Sequence, residues 1–180
     1  MNAKALFIPV LMCFTCFLFS EGQDGGLISG PDWGILVSAP AGWVRDVQAI
    51  PPRGVEALFR KAGERYSLFG LSISVIPQEK VQGGPGSLAE YTKAEKAALV
   101  AADPDLVLRE LASYSPGLDY SFALRELDEP GRAYYQTIAY YEGPRAFFAF
   151  VLSCRSSEER EREKAALFEL LDSFVYLSKE

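Results

Sequence analysis

"YYQTIAYYEGPRAFFAFVLSC", Tyr134 to Cys154, decides the fold. Two runs rich in aromatic and β-branched residues flank Glu142-Gly143-Pro144, so the segment reads as an antiparallel hairpin with Gly143-Pro144 at its turn. The second run, Ala146 to Cys154, has almost no polar residue. A strand of that composition is covered on both faces. It therefore sits at the centre of a sheet with other layers on each side.

Working upstream, the same strand grammar repeats. "LVLRELASY" (Leu106–Tyr114) and "YSFALREL" (Tyr120–Leu127) flank the turn "SPGLD". In "LFGLSISVIP" (Leu68–Pro77), Leu71, Ile73 and Val75 share one side and Ser72 and Ser74 the other. Small hydroxyls on that second side imply that something packs there. "VEALFRKA" (Val55–Ala62) follows the turn signal "PPRG". "WGILVSAP" (Trp33–Pro40) is a strand that stops at Pro40, which has no N–H for a ladder. Gly42 turns the chain, and Trp43 and Val44 restart it, so "SAPAGW" is a strand-to-strand corner.

Two helices interrupt the strands. "SLAEYTKAEKAALVAAD" opens with the capping pair Ser87 and Glu90, carries the stripe Leu88, Tyr91, Ala98, Leu99 and Ala102, and ends before Pro104. Near the C-terminus Ser156 and Glu159 form a second capping box. Leu167, Phe168, Leu171, Phe174 and Val175 make the apolar face there, with "EEREREK" (Glu158–Lys164) as a solvated face. Strands, helix, strands, helix, with short turns, is an α+β arrangement: an antiparallel sheet of about six strands with helices on both faces.

The first residues have a different role. Lys4 precedes an apolar run from Ala5 to Phe19, and polarity returns at Ser20. This is the layout of a secretory signal, too short for a bilayer-spanning anchor, with cleavage after Ser20 or Gly22. Lipid anchoring at Cys13 or Cys16 is the minority reading, because neither follows a small residue. The expected organisation is a signal peptide over 1–22, a flexible Gly- and Ser-rich lead-in over 23–32, and one domain over 33–178. The mature protein is then periplasmic or extracellular, with contact to the membrane only through the signal peptide or a lipid anchor.

Composition narrows the chemistry. Of 180 residues none is His, which excludes any Ser-His-Asp or Cys-His arrangement and disfavours zinc or copper. A net charge of −6 argues against nucleic acid as a partner. Cys154 is the one thiol beyond the leader; within "FFAFVLSC" it reads as a small buried hydrophobe.

In their order along the chain, "ILVSAPAGWVRD" (35–46), "YTKAEKAAL" (91–99), the 134–152 hairpin and "FELLDSFVYL" (168–177) resemble PsbP-like exported bacterial domains. The resemblance implies an α/β/α sandwich whose last segment is a closing helix. Its photosynthetic members stabilise a metal-oxo cluster as extrinsic subunits, a distant group binds a nuclear GTPase, and most exported bacterial members have no assigned role. No motif carries either role onto residues here, and fold alone is not function.

Three expectations about function follow. The first is a non-enzymatic exported module that binds another envelope protein or assists an envelope assembly, without cofactor, metal or catalytic residues, with Trp43, Tyr135 and Tyr141 as its candidate surface. The second is a carboxylate hydrolase acting on envelope glycans; its nearest candidates, Glu126, Asp128 and Glu129 of "ELDEPGR", read as solvated turn charge. The third is a small-ligand carrier with a pocket between sheet and helix. Period 2 places Tyr135 and Tyr141 on one side of their strand and Tyr134 and Tyr140 on the other, so the four rings cannot form one patch.

Overall fold

The computed structural model describes residues 24–68 and 70–178; the signal-peptide reading of 1–22 lies outside them. The central hairpin is β8 (Tyr134–Glu142) and β9 (Ala146–Cys154). Every residue of β9 is buried, as its unbroken apolar composition requires. Around it a seven-stranded antiparallel sheet is ordered β3-β4-β5-β9-β8-β7-β6. Here β3 is Trp43–Arg45, β4 Ala57–Lys61, β5 Ser72–Glu79, β6 Val107–Glu110 and β7 Ala123–Glu129.

A second sheet has three strands, ordered β1-β2-β10, with β1 Gly25–Ser29, β2 Trp33–Ser38 and β10 Val175–Ser178. The α+β antiparallel class stands, with more strands than the expected six. Two local readings change with it. Gly25–Ser29, expected within the flexible lead-in, is a strand paired to β2 along its length. The closing helix stops at Asp172, and Val175–Ser178 leaves it to pair with the other side of β2. Val175 and Tyr176 are β-formers beyond a helix whose Ser173 Oγ bonds back to the Leu170 carbonyl at 2.7 Å.

The register divides the core. Phe148, Phe150, Leu152 and Cys154 of β9 point into the larger cluster, which also holds Trp33, Ile35 and Val37 of β2. Leu167, Leu170 and Leu171 of α2 (Ser157–Asp172) close it. Trp33 meets Phe148 edge-on at 5.0 Å, and Phe174 meets Phe150 at 5.6 Å. Ala149 and Val151 point the opposite way, into a smaller cluster with Ile138, Tyr140 and Leu127. Over that cluster lies α1 (Leu88–Ala102), which packs Leu88, Tyr91 and Leu99 against it, although none of its residues is fully buried. One face of the sheet is sealed and the other is half-covered.

The seal on α2 is partly ionic, which corrects two readings. In "EEREREK", Arg160 and Glu163 are 4% and 6% exposed, turned inward. In "ELDEPGR", Glu126 and Asp128 belong to β7 and are 6% and 8% exposed, not solvated turn charge. Alternation along β7 aims both carboxylates at α2. There Arg160 bonds Asp128 through Nη1 and lies 3.3 Å from Glu126 through Nη2. Arg109 of β6 reaches Asp128 at 2.5 Å and Glu126 at 3.2 Å, and Lys164 Nζ reaches Glu126 at 2.8 Å. Burial pushes the Glu126 carboxyl up, but the Lys164 hydrogen bond and the charges of Arg160 and Lys164 outweigh it and hold it below the usual range.

Because the folded pKa of Glu126 is depressed, its contribution is full above roughly pH 5 and is lost as pH falls through the folded value. Arg160→Met leaves two buried carboxylates short of a partner and is expected to cost about 3–5 kcal/mol in urea unfolding at pH 7. Arg162→Met, at a side chain 63% exposed, is expected to cost no more than about 0.5 kcal/mol. The gap between the two variants should narrow as the pH of the unfolding experiment falls below about 4.

Candidate functional site

The residues proposed from sequence as a binding surface are not brought together. Trp43 is 5% exposed and belongs to the main core. It sits on edge strand β3, separated from β8 by β4, β5 and β9. Tyr135 and Tyr141 point into the same core, as period 2 requires. Tyr141 packs its ring on Phe174 at 4.8 Å and Phe122 at 5.6 Å. All three serve packing, because the sheet face they occupy is the one sealed by α2 and the small sheet. Cys154 is fully buried, and burial, with Glu159 and Glu163 nearby, pushes its thiol up to about 12, which makes it inert as a nucleophile. Glu126 and Asp128 share guanidinium partners under α2, an arrangement that keeps Glu126 ionised and unsuited to act as a general acid.

The half-covered face carries an apolar concave surface beside α1. A groove of about 280 Å³ runs between α1 and the ends of β5 and β9, lined by Val81, Pro85, Tyr91, Ala94, Ala98 and Phe147 among others. Its depth follows from side-chain size: Ala94 and Ala98 are too short to fill the space between helix and sheet. Tyr91 and Phe147 stack at 4.9 Å with planes 17° apart and form its back wall. Lys80 Nζ lies 4.6 Å from the centre of the Phe147 ring and bonds Glu142 at 2.7 Å. The other Glu142 oxygen accepts from the Leu88 N–H at 2.9 Å, so the tip of the β8–β9 hairpin holds the first turn of α1. Ser87 Oγ accepts from the Glu90 N–H at 3.4 Å, and the Glu90 carboxylate from the Gly86 N–H at 2.7 Å.

One carboxyl lies at the floor. Glu95 accepts from the Tyr140 hydroxyl at 2.5 Å and lies 3.6 Å from Arg125. Arg125, itself buried, donates to Glu110 at 2.7 Å and to the Thr92 carbonyl at 3.3 Å, beneath the Tyr140 ring. Burial pushes Glu95 up, and the Tyr140 hydrogen bond and the Arg125 charge only partly offset this. Burial and the neighbouring Glu95 also push the Tyr91 phenol up to about 12, so it stays neutral. Sequence reading missed Glu95, yet a signal was present. It falls inside the stripe Leu88, Tyr91, Ala98, Leu99, where helical period calls for an apolar residue. Arg125 and Tyr140 join it only through strand register, which pairs Arg125 with Ile138 and Ala123 with Tyr140.

At the other end of the same face Ser72 is covered, as its small hydroxyl implies, and Ser74 is half-buried; a small pocket is bordered by both serines, Tyr66, Tyr134, Gln136 and Ser153. On the far side of the molecule Leu27, Leu36 and Val175 line up across the three-stranded sheet and are 53%, 40% and 41% exposed. Among the described residues no group of His, Cys, Asp or Glu side chains is arranged to hold a metal ion, and no helix is long and apolar enough to cross a membrane.

No protein-family model and no curated protein sequence matches the chain. Among solved structures it is similar to the solution structure of cyanobacterial PsbP (CyanoP) from Synechocystis sp. PCC 6803, at a TM-score of 0.51 and 19% identity, over 86% of this chain and 94% of that one. The domain is therefore PsbP-like in fold, and the likeness extends to fold alone.

The raised Glu95 gives a signed pH dependence. Its charged form is disfavoured in the folded state, so its contribution to stability falls as pH rises from the unfolded pKa through the folded one. Glu95→Gln keeps an oxygen for Tyr140 and removes that loss. Thermal unfolding is expected to show the variant gaining on the parent as pH rises above the ordinary glutamate value of about 4.3, with no gain below it.

Proposed function

We propose that this chain is an exported, non-enzymatic module that binds another protein of the cell envelope through the groove beneath α1. The observation that carries the reading is the state of α1. It is a 15-residue helix with none of its residues buried, beside an apolar channel walled by two stacked aromatic rings. A helix that only closed a core would bury its stripe as α2 does. Exposed apolar surface beside a partly seated helix is what interaction sites present.

Charge supports binding over turnover. Two carboxyls line the groove, Glu79 and Glu95, and Glu95 is held by Tyr140 and Arg125; Glu142, at the hairpin tip, is held by Lys80. The chain has no histidine, the usual general base near neutral pH. The groove is open along one side, a form suited to a segment of another chain rather than to an enclosed small molecule. Export rests on the basic start and apolar run of residues 4–19. A periplasmic location, with a lipid anchor at Cys13 or Cys16 as the minority form, completes the proposal.

The test places a photo-crosslinking residue at Ala98, which is exposed, and irradiates native envelopes. A discrete protein adduct is expected that is lost on Ala94→Arg and retained when Leu36, on the opposite layer, is changed to Glu. No adduct, or an adduct indifferent to Ala94→Arg, would refute the groove as the binding surface.

A further inference from the structure

Another concave feature on the half-covered face is a pocket of about 190 Å³ above Ser72 and Ser153. It lies at the opposite end of β5 and β9 from the groove, some six residues or roughly 20 Å away along the strands, and it does not depend on the groove reading. Its floor is a polar row across three central strands: register sets Ser72 of β5 beside Ser153 of β9, and Ser153 beside Gln136 of β8. Ser72 and Ser153 are 3% and 5% exposed. Polar side chains in the middle of a sheet are costly unless they find partners. At Ser153 the hydrophobic run of β9 is broken where the pocket begins.

These groups form a connected set. Gln136 Nε2 donates to the Tyr134 hydroxyl at 2.6 Å and to Ser153 Oγ at 3.2 Å, and the Tyr134 hydroxyl and Ser153 Oγ are 3.2 Å apart. Ser74 adds another hydroxyl, and Ile76 and Val151 supply apolar floor. Tyr66, from the loop after β4, lies on the pocket wall with Tyr134. The lining contains no carboxylate, and its one charged side chain, Arg53, is exposed at the rim.

We propose that this pocket is a binding subsite for one neutral sugar ring of a glycan. Hydroxyls and a primary amide both donate and accept, which matches the mixed hydrogen-bonding of a sugar's hydroxyls. Phenol rings offer an apolar face with a polar tip, which suits the alternating C–H and O–H surfaces of a pyranose. A cation would find no counter-charge, and a peptide would find no strand edge, since β5, β9 and β8 are paired with one another here. The absence of any carboxyl in the lining makes the site one of binding and not of hydrolysis.

The experiment titrates the mature ¹⁵N-labelled chain with N-acetylglucosamine and with glucose, using glycerol and glucuronate as comparators. Expected is saturable binding of at least one neutral sugar in the millimolar range, with shifts at the amides of Ser72, Gln136 and Ser153. Tyr66→Ala, at a loop position that does not report on core folding, should weaken it about tenfold, and Gln136→Ala likewise. Ala94→Arg in the groove should leave it unchanged. No saturable shift up to roughly 50 mM would mean that the pocket holds only water, and would overturn the proposal. So would glycerol shifting the same amides equally, or glucuronate binding tighter than glucose in an Arg53-dependent way.

Discussion

A strand without a polar face must be covered twice, and β9 imposes that condition on everything around it. Its nine residues are buried throughout, so no sheet built on it can leave one side to water. The chain meets the condition on one side with α2 and the small sheet, and on the other with α1. The seven-stranded order follows from the same strand. β8 and β5 pair on either side of it, and shorter strands extend the sheet outward to edges at β3 and β6.

The two covers are made differently. On the α2 side, Leu167, Leu170 and Leu171 are fully buried, and Arg160 and Lys164 are locked to carboxylates of β7. Opposite charges held in a low-dielectric layer make wrong placements of α2 costly as well as right ones favourable. On the α1 side the contacts are partial, and the helix is held chiefly by its first turn, through Glu142, and by the Glu95–Tyr140–Arg125 set at its middle. Regions with few buried contacts open at lower free energy than the whole. The α1 side is therefore where the molecule can yield without unfolding.

The sequence was most legible where one periodicity acted alone. The hairpin turn at Gly143-Pro144, the caps at Ser87 and Ser156, and the burial of Cys154 could all be read from local pattern. Readings failed where a residue's role was set by a partner distant in the chain. Arg160 and Glu163 look like surface charge until strand alternation in β7 and the reach of Lys61 give them partners at 102 or fewer residues' separation. Gly25–Ser29 has a loop's composition and becomes a strand because β2 has a free edge beside it. Trp43, Tyr135 and Tyr141 fit a core and an interface equally by local pattern, because aromatic residues suit both; only layer order, which puts them against the main core, separates the two.

The small sheet also sets how the molecule would be held. β1 and β10 lie on either side of β2, so the first and last described strands leave from one layer. That layer packs on the sealed face, across the seven-stranded sheet from α1. Residues 1–23 lead directly into it. A pull applied on the N-terminal side of β1 would therefore load β1 and β2 first, with α1 across the seven-stranded sheet from the load.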